Sequence, residues 1–350
     1  MTNPLHTALC DLVGVRHPIV QTGMGWVAGP RLVSATANAG ALGILASATM
    51  DLEQLTQAVK EVKARTDQPC GVNLRADAPD ANERIDLLIR EDVRVASFAL
   101  APRADLIARL KDAGIVVIPS IGAKRHAEKV AAMGADAVLV QGGEGGGHTG
   151  AVATTLLLPQ VVDSVDIPVI AAGGFFDGRG LVAALAYGAA GVAMGTRFLL
   201  TQESTVPDVV KRVYLDRDVT GTVVTTKVDG VPHRVLRTDL VEHLERGGAV
   251  TGLWRALRNA VAFQRVSGTS WRAMASEGLA MRRQHGLTWS QVLMAANTPM
   301  LLREAMVAGN PNLGVMSSGQ VVGVIEDLPT VADLVARIVA EAEAALRRLS

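Results

Sequence analysis

The residues best suited to chemistry in this 350-residue chain gather in one decapeptide, Gln141-Gly-Gly-Glu-Gly-Gly-Gly-His-Thr-Gly150. Six of its ten residues are glycine, so the loop is costly to order. Such a loop is expected where main-chain N–H groups must meet a phosphate or a flat ring. His148 sits near its end, and imidazole is the side chain that best transfers protons near neutrality. His148 is therefore the expected base. Two further clusters, Ala171-Ala-Gly-Gly174 (with Asp177 and Gly178 behind it) and Met194-Gly-Thr-Arg-Phe198, follow at a spacing of about 22 residues. Together they read as a phosphate site of main-chain N–H groups and a short helix N-terminus. An earlier cluster, Gln21-Thr-Gly-Met-Gly-Trp26, has two glycines that allow close approach to a flat ligand. The same residues also suit an ordinary flexible loop.

The other histidines are weaker candidates. His6 is near the terminus, His17 precedes Pro18, His126 falls on a helix, and His243 and His285 lie late in the chain. His233, in Val231-Pro-His-Arg234, could reach the site from a lid, against a plain surface role. Cys10 and Cys70 are too few for a disulfide framework and read as buried small residues.

These residues need a frame. Apolar runs at Pro18–Thr22, Leu42–Ala46, Gly71–Arg75, Val95–Ala99, Val116–Pro119, Ala137–Gln141, Pro168–Ala172 and Gly191–Gly195 read as eight strands. Helical patterns fill the gaps, as at Asp80–Arg90, Ala104–Asp112, Ala123–Met133 and Gly178–Tyr187. Gly40, Gly114, Gly134 and Gly188 fall where helix ends need left-handed backbone. The expected fold is an α/β (β/α)8 TIM barrel, whose active site lies at the strands' C-terminal ends. A doubly wound sheet would put its glycine fingerprint after the first strand. Here the densest glycine clusters follow strands six, seven and eight.

From Thr201 to about Pro299 no strand rhythm is visible, and the segment holds Trp254, Trp271 and Trp289. We read residues 201–316 as a mainly helical insertion over the barrel mouth, with the barrel made by 1–200 and 317–350. A final helix from about Thr330 to Leu349 would complete the barrel. Lys+Arg and Asp+Glu balance at 34 each, which argues against a nucleic-acid partner. The balance hides an asymmetry, because Gly230–Arg283 carries nine Arg against four acids. No leader or membrane segment is visible, so a cytoplasmic protein is expected. The helical insertion also suggests a homodimer.

The segments Gln141–Gly150, Ala171–Gly178 and Gly191–Phe198 resemble the flavin-binding signatures of the nitronate monooxygenase family. That family, formerly called 2-nitropropane dioxygenases, uses an FMN-binding TIM barrel and shares its superfamily with bacterial flavin-dependent enoyl-ACP reductases. The resemblance covers nearly the whole chain. Nitronate monooxygenases usually carry a Pro-Met pair after the first strand, whereas Gln21–Ala28 looks more like the enoyl reductases. The stretches Gln21–Gly29, Val95–Pro102, Gln141–Gly150, Gly173–Gly180, Val223–Thr238 and Leu287–Pro299 are similar to a third group. Its members dehydrogenate a hydroxy-hydrindanone-carboxyl-CoA thioester in steroid ring C/D degradation.

The resemblance implies FMN as cofactor. Gln21, Thr22, Gly23 and Met24 would line the isoalloxazine, with Asn73 at the end of the third strand and Ser120 following the fifth. Gln141 and Gly147 would approach the ring or ribityl chain, and Gly173, Gly174, Gly195 and Thr196 would bind the phosphate. His148 matches the family's catalytic histidine. A base would remove the thioester's α-proton while the β-hydride leaves to the flavin, with NAD(H) as expected co-substrate. Arg234 and Arg237 are the expected contacts to CoA phosphates, against the reading of solvated positions. Nitronate oxidation, the reverse enoyl reduction, and a barrel that has lost catalysis are the competing readings.

Overall fold

A computed structural model describes residues 3–99, 101–228, 230–246 and 297–349. Eight parallel strands close into a barrel. In chain order they are β1 (Ile19–Gln21), β2 (Leu42–Ala46), β3 (Cys70–Leu74), β4 (Val95–Phe98), β5 (Val116–Ile121), β6 (Val138–Gln141), β8 (Val169–Ala172) and β9 (Gly191–Met194). The barrel closes where β1 pairs β9, Val20 opposite Ala193. All eight expected strands are present. Such strands are covered on both faces, so they read as near-continuous apolar runs.

Side chains alternate along each strand, and the alternation builds the site. The inward positions Val20, Ile44, Val95, Ile118, Leu139 and Ile170 share one buried cluster that fills the barrel. One inward step further towards the C-terminal ends, the chemistry changes to Asn73, Ser97, Ser120 and Gln141. Ser120 lies opposite Leu139, and Asn73 opposite Ser97. A polar layer thus caps an apolar plug. The outward positions, such as Val72, Ala96 and Val117, pack under helices.

The helices between the strands are α2 (Pro30–Asn38), α3 (Leu52–Arg65), α4 (Ala81–Arg90), α5 (Ala104–Asp112), α6 (Lys124–Ala132), α7 (Thr154–Val162) and α8 (Gly178–Ala186), after a leading α1 (Ala8–Val13). Gly40, Gly114, Gly134 and Gly188 all take positive φ at the helix ends, as expected. Last in the chain, α13 (Val331–Leu349) packs on α8. A Cβ on Gly178 would come within 2.3 Å of the Ile338 carbonyl, so only glycine permits that approach.

The segment after β9 departs from the sequence expectation. It contains α9 (Thr196–Leu199) and α10 (Asp208–Leu215), and then two strands, β10 (Thr222–Thr225) and β11 (His233–Leu236). These form an antiparallel sheet with β7 (Gly147–His148), in the order β10-β11-β7. β10 and β11 are only four residues each, too short to show a rhythm against their surroundings. The helices α11 (Asp239–Arg246) and α12 (Asn297–Met306) flank residues 247–296. The expected helical bulk of the insertion, with Trp254, Trp271 and Trp289, lies outside the described residues. Among the described residues no helix is long and apolar enough to cross a membrane.

Candidate active site

The β1 end is pressed against β3 and β9. A Cβ on Gly23 would come within 2.5 Å of Asn73 Cβ, so glycine lets this loop lie on the Asn73 side chain. Gly195, after β9, faces Thr22 Oγ1 and the Met24 sulfur at 3.2 and 3.4 Å from its own would-be Cβ. Gln21 is fully buried. Its Nε2 donates to the Thr22 carbonyl and, at 3.2 Å, to the Ile44 carbonyl, while Oε1 is buried without a partner among the described residues. Asn73 Nδ2 donates to Ser97 Oγ at 3.3 Å, and the Asn73 carbonyl accepts from Ser47 Oγ at 2.6 Å.

The glycine-rich loop is fastened from four sides. From below, Gln141 Nε2 donates to the His148 carbonyl at 2.8 Å and the Gly146 carbonyl at 3.3 Å. Inside the loop, Glu144 accepts from the Thr154 N–H at 2.9 Å and from Thr154 Oγ1 at 2.7 Å. Its carboxylate thereby caps the N-terminus of α7 from ten residues away, where negative charge is favoured. From the insertion, Arg234 donates through Nη2 (2.8 Å) and Nε (3.3 Å) to the Gly143 carbonyl, and through Nη1 (3.0 Å) to Thr222 Oγ1. Burial lowers the Arg234 guanidinium from its ordinary range, and Glu144 opposes that. From above, the strap Ser317–Gln320 lies on the loop. The Gln320 N–H donates to the Glu144 carbonyl at 3.0 Å, and a Cβ on Gly146 would meet strap backbone at 2.6 Å. The strap is held in turn. Gly319 N–H donates to Thr196 Oγ1 at 2.9 Å, and the buried Tyr214 hydroxyl donates to the Ser317 carbonyl at 2.7 Å. Burial raises the Tyr214 phenol well above its ordinary value, so it stays a donor.

Between β8 and α8, Gly173 and Gly174 both take left-handed backbone, φ +90° and +88°. The α8 N-terminus itself is already served by carboxylates. Asp177 accepts from the Gly180 N–H and Glu341 from the Gly178 N–H, both at 2.9 Å. An anion seated here would therefore use the Gly173–Gly174 turn and the Gly195–Thr196 turn. Arg197 does not join it. It is buried and donates to Asp327 Oδ1 at 2.9 Å and to the Leu200 carbonyl at 2.6 Å.

The sheet made by the insertion sets the histidines. His148 and His233 are directly opposed between β7 and β11, so their side chains share a face. The ring centroids are 4.8 Å apart with planes tilted by 54°. His148 is exposed, whereas His233 is buried and its Nε2 is hydrogen-bonded to Ser317 Oγ at 2.7 Å. Arg234 and Gly147 oppose one another at the next position, on the other face. A cavity of about 580 Å³ opens there, bounded by Glu144, Thr149, Val224, Pro232, Arg234 and Gln320.

A profile of the nitronate monooxygenase family matches residues 6–86 and 81–341. The chain belongs to the nitronate monooxygenase family. It is 67% identical over 338 residues to the (3aS,4S,5R,7aS)-5-hydroxy-7a-methyl-1-oxo-octahydro-1H-indene-4-carboxyl-CoA dehydrogenase of Rhodococcus jostii (strain RHA1), covering 97% of this chain and 96% of that protein. It is 68% identical over 341 residues to the dehydrogenase of the same name from Mycobacterium tuberculosis, with the same coverage. Among solved structures, FabK from Thermotoga maritima superposes with a TM-score of 0.80 at 34% identity over 98% of both chains.

Within this nitronate monooxygenase barrel, the residues expected to line a flavin fall on one end. Gly23 lies on Asn73, and Gly195 faces Thr22 and Met24. Gln141 ends β6 beneath the glycine loop, Gly147 belongs to that loop, and Gly173, Gly174 and Thr196 to the turns beside it. Ser120 is the penultimate residue of β5, not a residue after it. The set fits FMN on structural grounds: a polar layer lies over an apolar plug, the buried Gln21 Oε1 has no partner among the described residues, a Cβ on Gly147 would meet nothing within 4 Å, and Gly174 is exposed in its left-handed turn. The two arginines differ from one another in their surroundings. Arg234 is engaged by the protein, while Arg237 is exposed, its N–H bonded to the Gly221 carbonyl at 2.8 Å. His233 is buried, not the surface residue weighed against a lid role. Cys70 is only half-buried, its thiol pushed up to about 12 by desolvation. Sequence reasoning missed Ser97, Glu144, Thr154 and Tyr214. Ser97 alone left a signal, since it stands two places after inward Val95.

Proposed function

We propose that this chain is an FMN-dependent oxidoreductase that dehydrogenates a hydroxy-hydrindanone-carboxyl-CoA thioester in steroid ring C/D catabolism, with NAD(H) as co-substrate. The observation that carries the substrate class is the 67–68% identity, over 97% of the chain, to two enzymes of that name. FMN supplies, when bound, the acceptor for the electron pair and hydrogen leaving the substrate's β-carbon. The chain's own residues do the rest. Thr22 to Met24 and Gly195 shape the wall on which a ring lies. Asn73, Ser97, Ser120 and Gln141 offer hydrogen bonds from the polar layer beneath. Main-chain N–H groups of Gly173, Gly174, Gly195 and Thr196 hold the phosphate without a cationic side chain. His148, exposed at the mouth on a loop fastened by Gln141 and Arg234, takes the thioester's α-proton at an imidazole nitrogen. Fixing that ring matters, because a misplaced base loses most of its advantage. The exposed Arg237 is the arginine we assign to the CoA phosphates, since its guanidinium is reached from solvent.

The test is to release the yellow chromophore, identify it as FMN, and follow its anaerobic bleaching by the thioester in wild type and His148→Ala. Full-rate bleaching in the variant, or a colourless protein that will not take up FMN, would overturn the assignment.

A further inference from the structure

His233 is held tightly within the sheet β10-β11-β7. It is buried at 3% exposure, bonded to Ser317 Oγ at 2.7 Å, and placed opposite His148 by backbone pairing rather than by side-chain chance. Its anchor is itself anchored. Ser317 bridges Val235 of β11, and its carbonyl accepts from Tyr214. On this foundation the His233 ring lies 4.8 Å from the exposed His148 ring, within the range of ring–ring contact.

The two-residue strand β7 explains why such a support is needed. Gly147 precedes His148 with φ +73°, and five further glycines lie within the same ten residues, so local sequence restrains the loop poorly. The orientation of the His148 imidazole is therefore set by what packs against it and not by the loop's own sequence. The anchored His233 ring, tilted at 54° beside it, narrows the orientations that imidazole can take.

We infer that His233 is a positioning residue that holds the His148 imidazole in its reactive orientation, with Ser317 fixing His233. This rests on the reading of His148 as the base. It adds that the insertion, through β11, completes the active site instead of merely covering it.

The experiment is a double-mutant cycle on the FMN-loaded protein, reading the limiting rate of anaerobic flavin reduction by the CoA thioester. His148→Ala, His233→Ala and the double variant are compared. A base displaced by about 1 Å loses on the order of 100-fold, so His233→Ala should lose about 10- to 100-fold in limiting rate. FMN and thioester dissociation constants should stay within about twofold, since His233 is given no contact with either. In the His148→Ala background the same substitution should cost nothing further, because the positioned group is already gone. His233→Phe, which keeps a ring beside His148 but loses the Ser317 bond, should recover part of the rate, to about the level of Ser317→Ala. Ser317→Ala is the second route should His233→Ala fail to fold, with a smaller loss that again vanishes without His148.

If His148→Ala keeps full rate, the base assignment fails and this inference falls with it. If His148→Ala is slow but His233→Ala is fast, only the positioning role is lost. A His233→Ala loss that persists undiminished in the His148→Ala background, or His233→Phe as slow as His233→Ala, would equally overturn it.

Discussion

Replacing Arg234 with alanine separates two roles for one guanidinium. The side chain makes three donations, at 2.8 and 3.3 Å to the Gly143 carbonyl and 3.0 Å to Thr222 Oγ1. The two to Gly143 share an acceptor, so they count as about one good bond. Two charge-assisted bonds at about 1.5–3 kcal/mol each set an upper range, and the half-buried setting lets water replace part of it. A net loss of about 2 kcal/mol from the ordered glycine loop follows, or roughly 30-fold in any equilibrium that needs that loop. In Arg234→Ala the FMN dissociation constant, measured by fluorescence quenching, should weaken by about that factor. With FMN saturating, turnover should fall equally for the CoA thioester and for a truncated N-acetylcysteamine thioester. Arg234→Lys should recover only part, since a point charge cannot reproduce the fork. A rise in KM confined to the full CoA ester, with FMN affinity unchanged, would refute the clamp and make Arg234 a CoA anchor.

Three further outcomes are expected. Gly146→Ala places a Cβ 2.6 Å from the backbone of Ser318 and Gly319, so urea unfolding should show a loss of about 1–3 kcal/mol; Gly122→Ala, whose Cβ would meet nothing closer than 3.8 Å, should be near neutral. Asp327 is held below the usual carboxylate range, first by its hydrogen bond to Arg337 and then by Arg197. Such a group stabilises the fold above its unfolded pKa near 3.8, and the benefit is lost as pH falls through its lower folded value. Asp327→Asn should therefore be less stable than wild type by about 1 kcal/mol at pH 7, a figure discounted for its 44% exposed side chain, and the gap should close below about pH 4; a gap that holds at pH 3 would refute the pairing. Light scattering over a concentration series tests the proposed homodimer, which a monomer mass throughout would exclude.

The barrel was legible because its physics is local. A parallel strand covered on both faces is an apolar run, and glycines such as Gly134 and Gly188 mark where helices stop. The proposed flavin-lining set is drawn from the same kind of local signal, because in a barrel the residues after each strand converge. What holds those residues is not local. Arg234 reaches Gly143 across 91 positions, Tyr214 reaches Ser317 across 103, and Gly319 reaches Thr196 across 123. No periodicity encodes such pairs. The sheet β10-β11-β7 escaped for a related reason. One of its strands is two residues inside a glycine run, and its partner lies more than eighty residues on, so neither resembles a strand alone. Glu144 reads as one more polar residue in a loop until α7 is seen to begin at Thr154.

The most direct measurement is anaerobic stopped-flow mixing of the FMN-loaded protein with two substrates in parallel. One is the hydroxy-hydrindanone-carboxyl-CoA thioester, the other an alkyl nitronate. Rapid bleaching by the thioester, with the nitronate slower by orders of magnitude, is the predicted result. Rapid bleaching by the nitronate and none by the thioester would contradict the account.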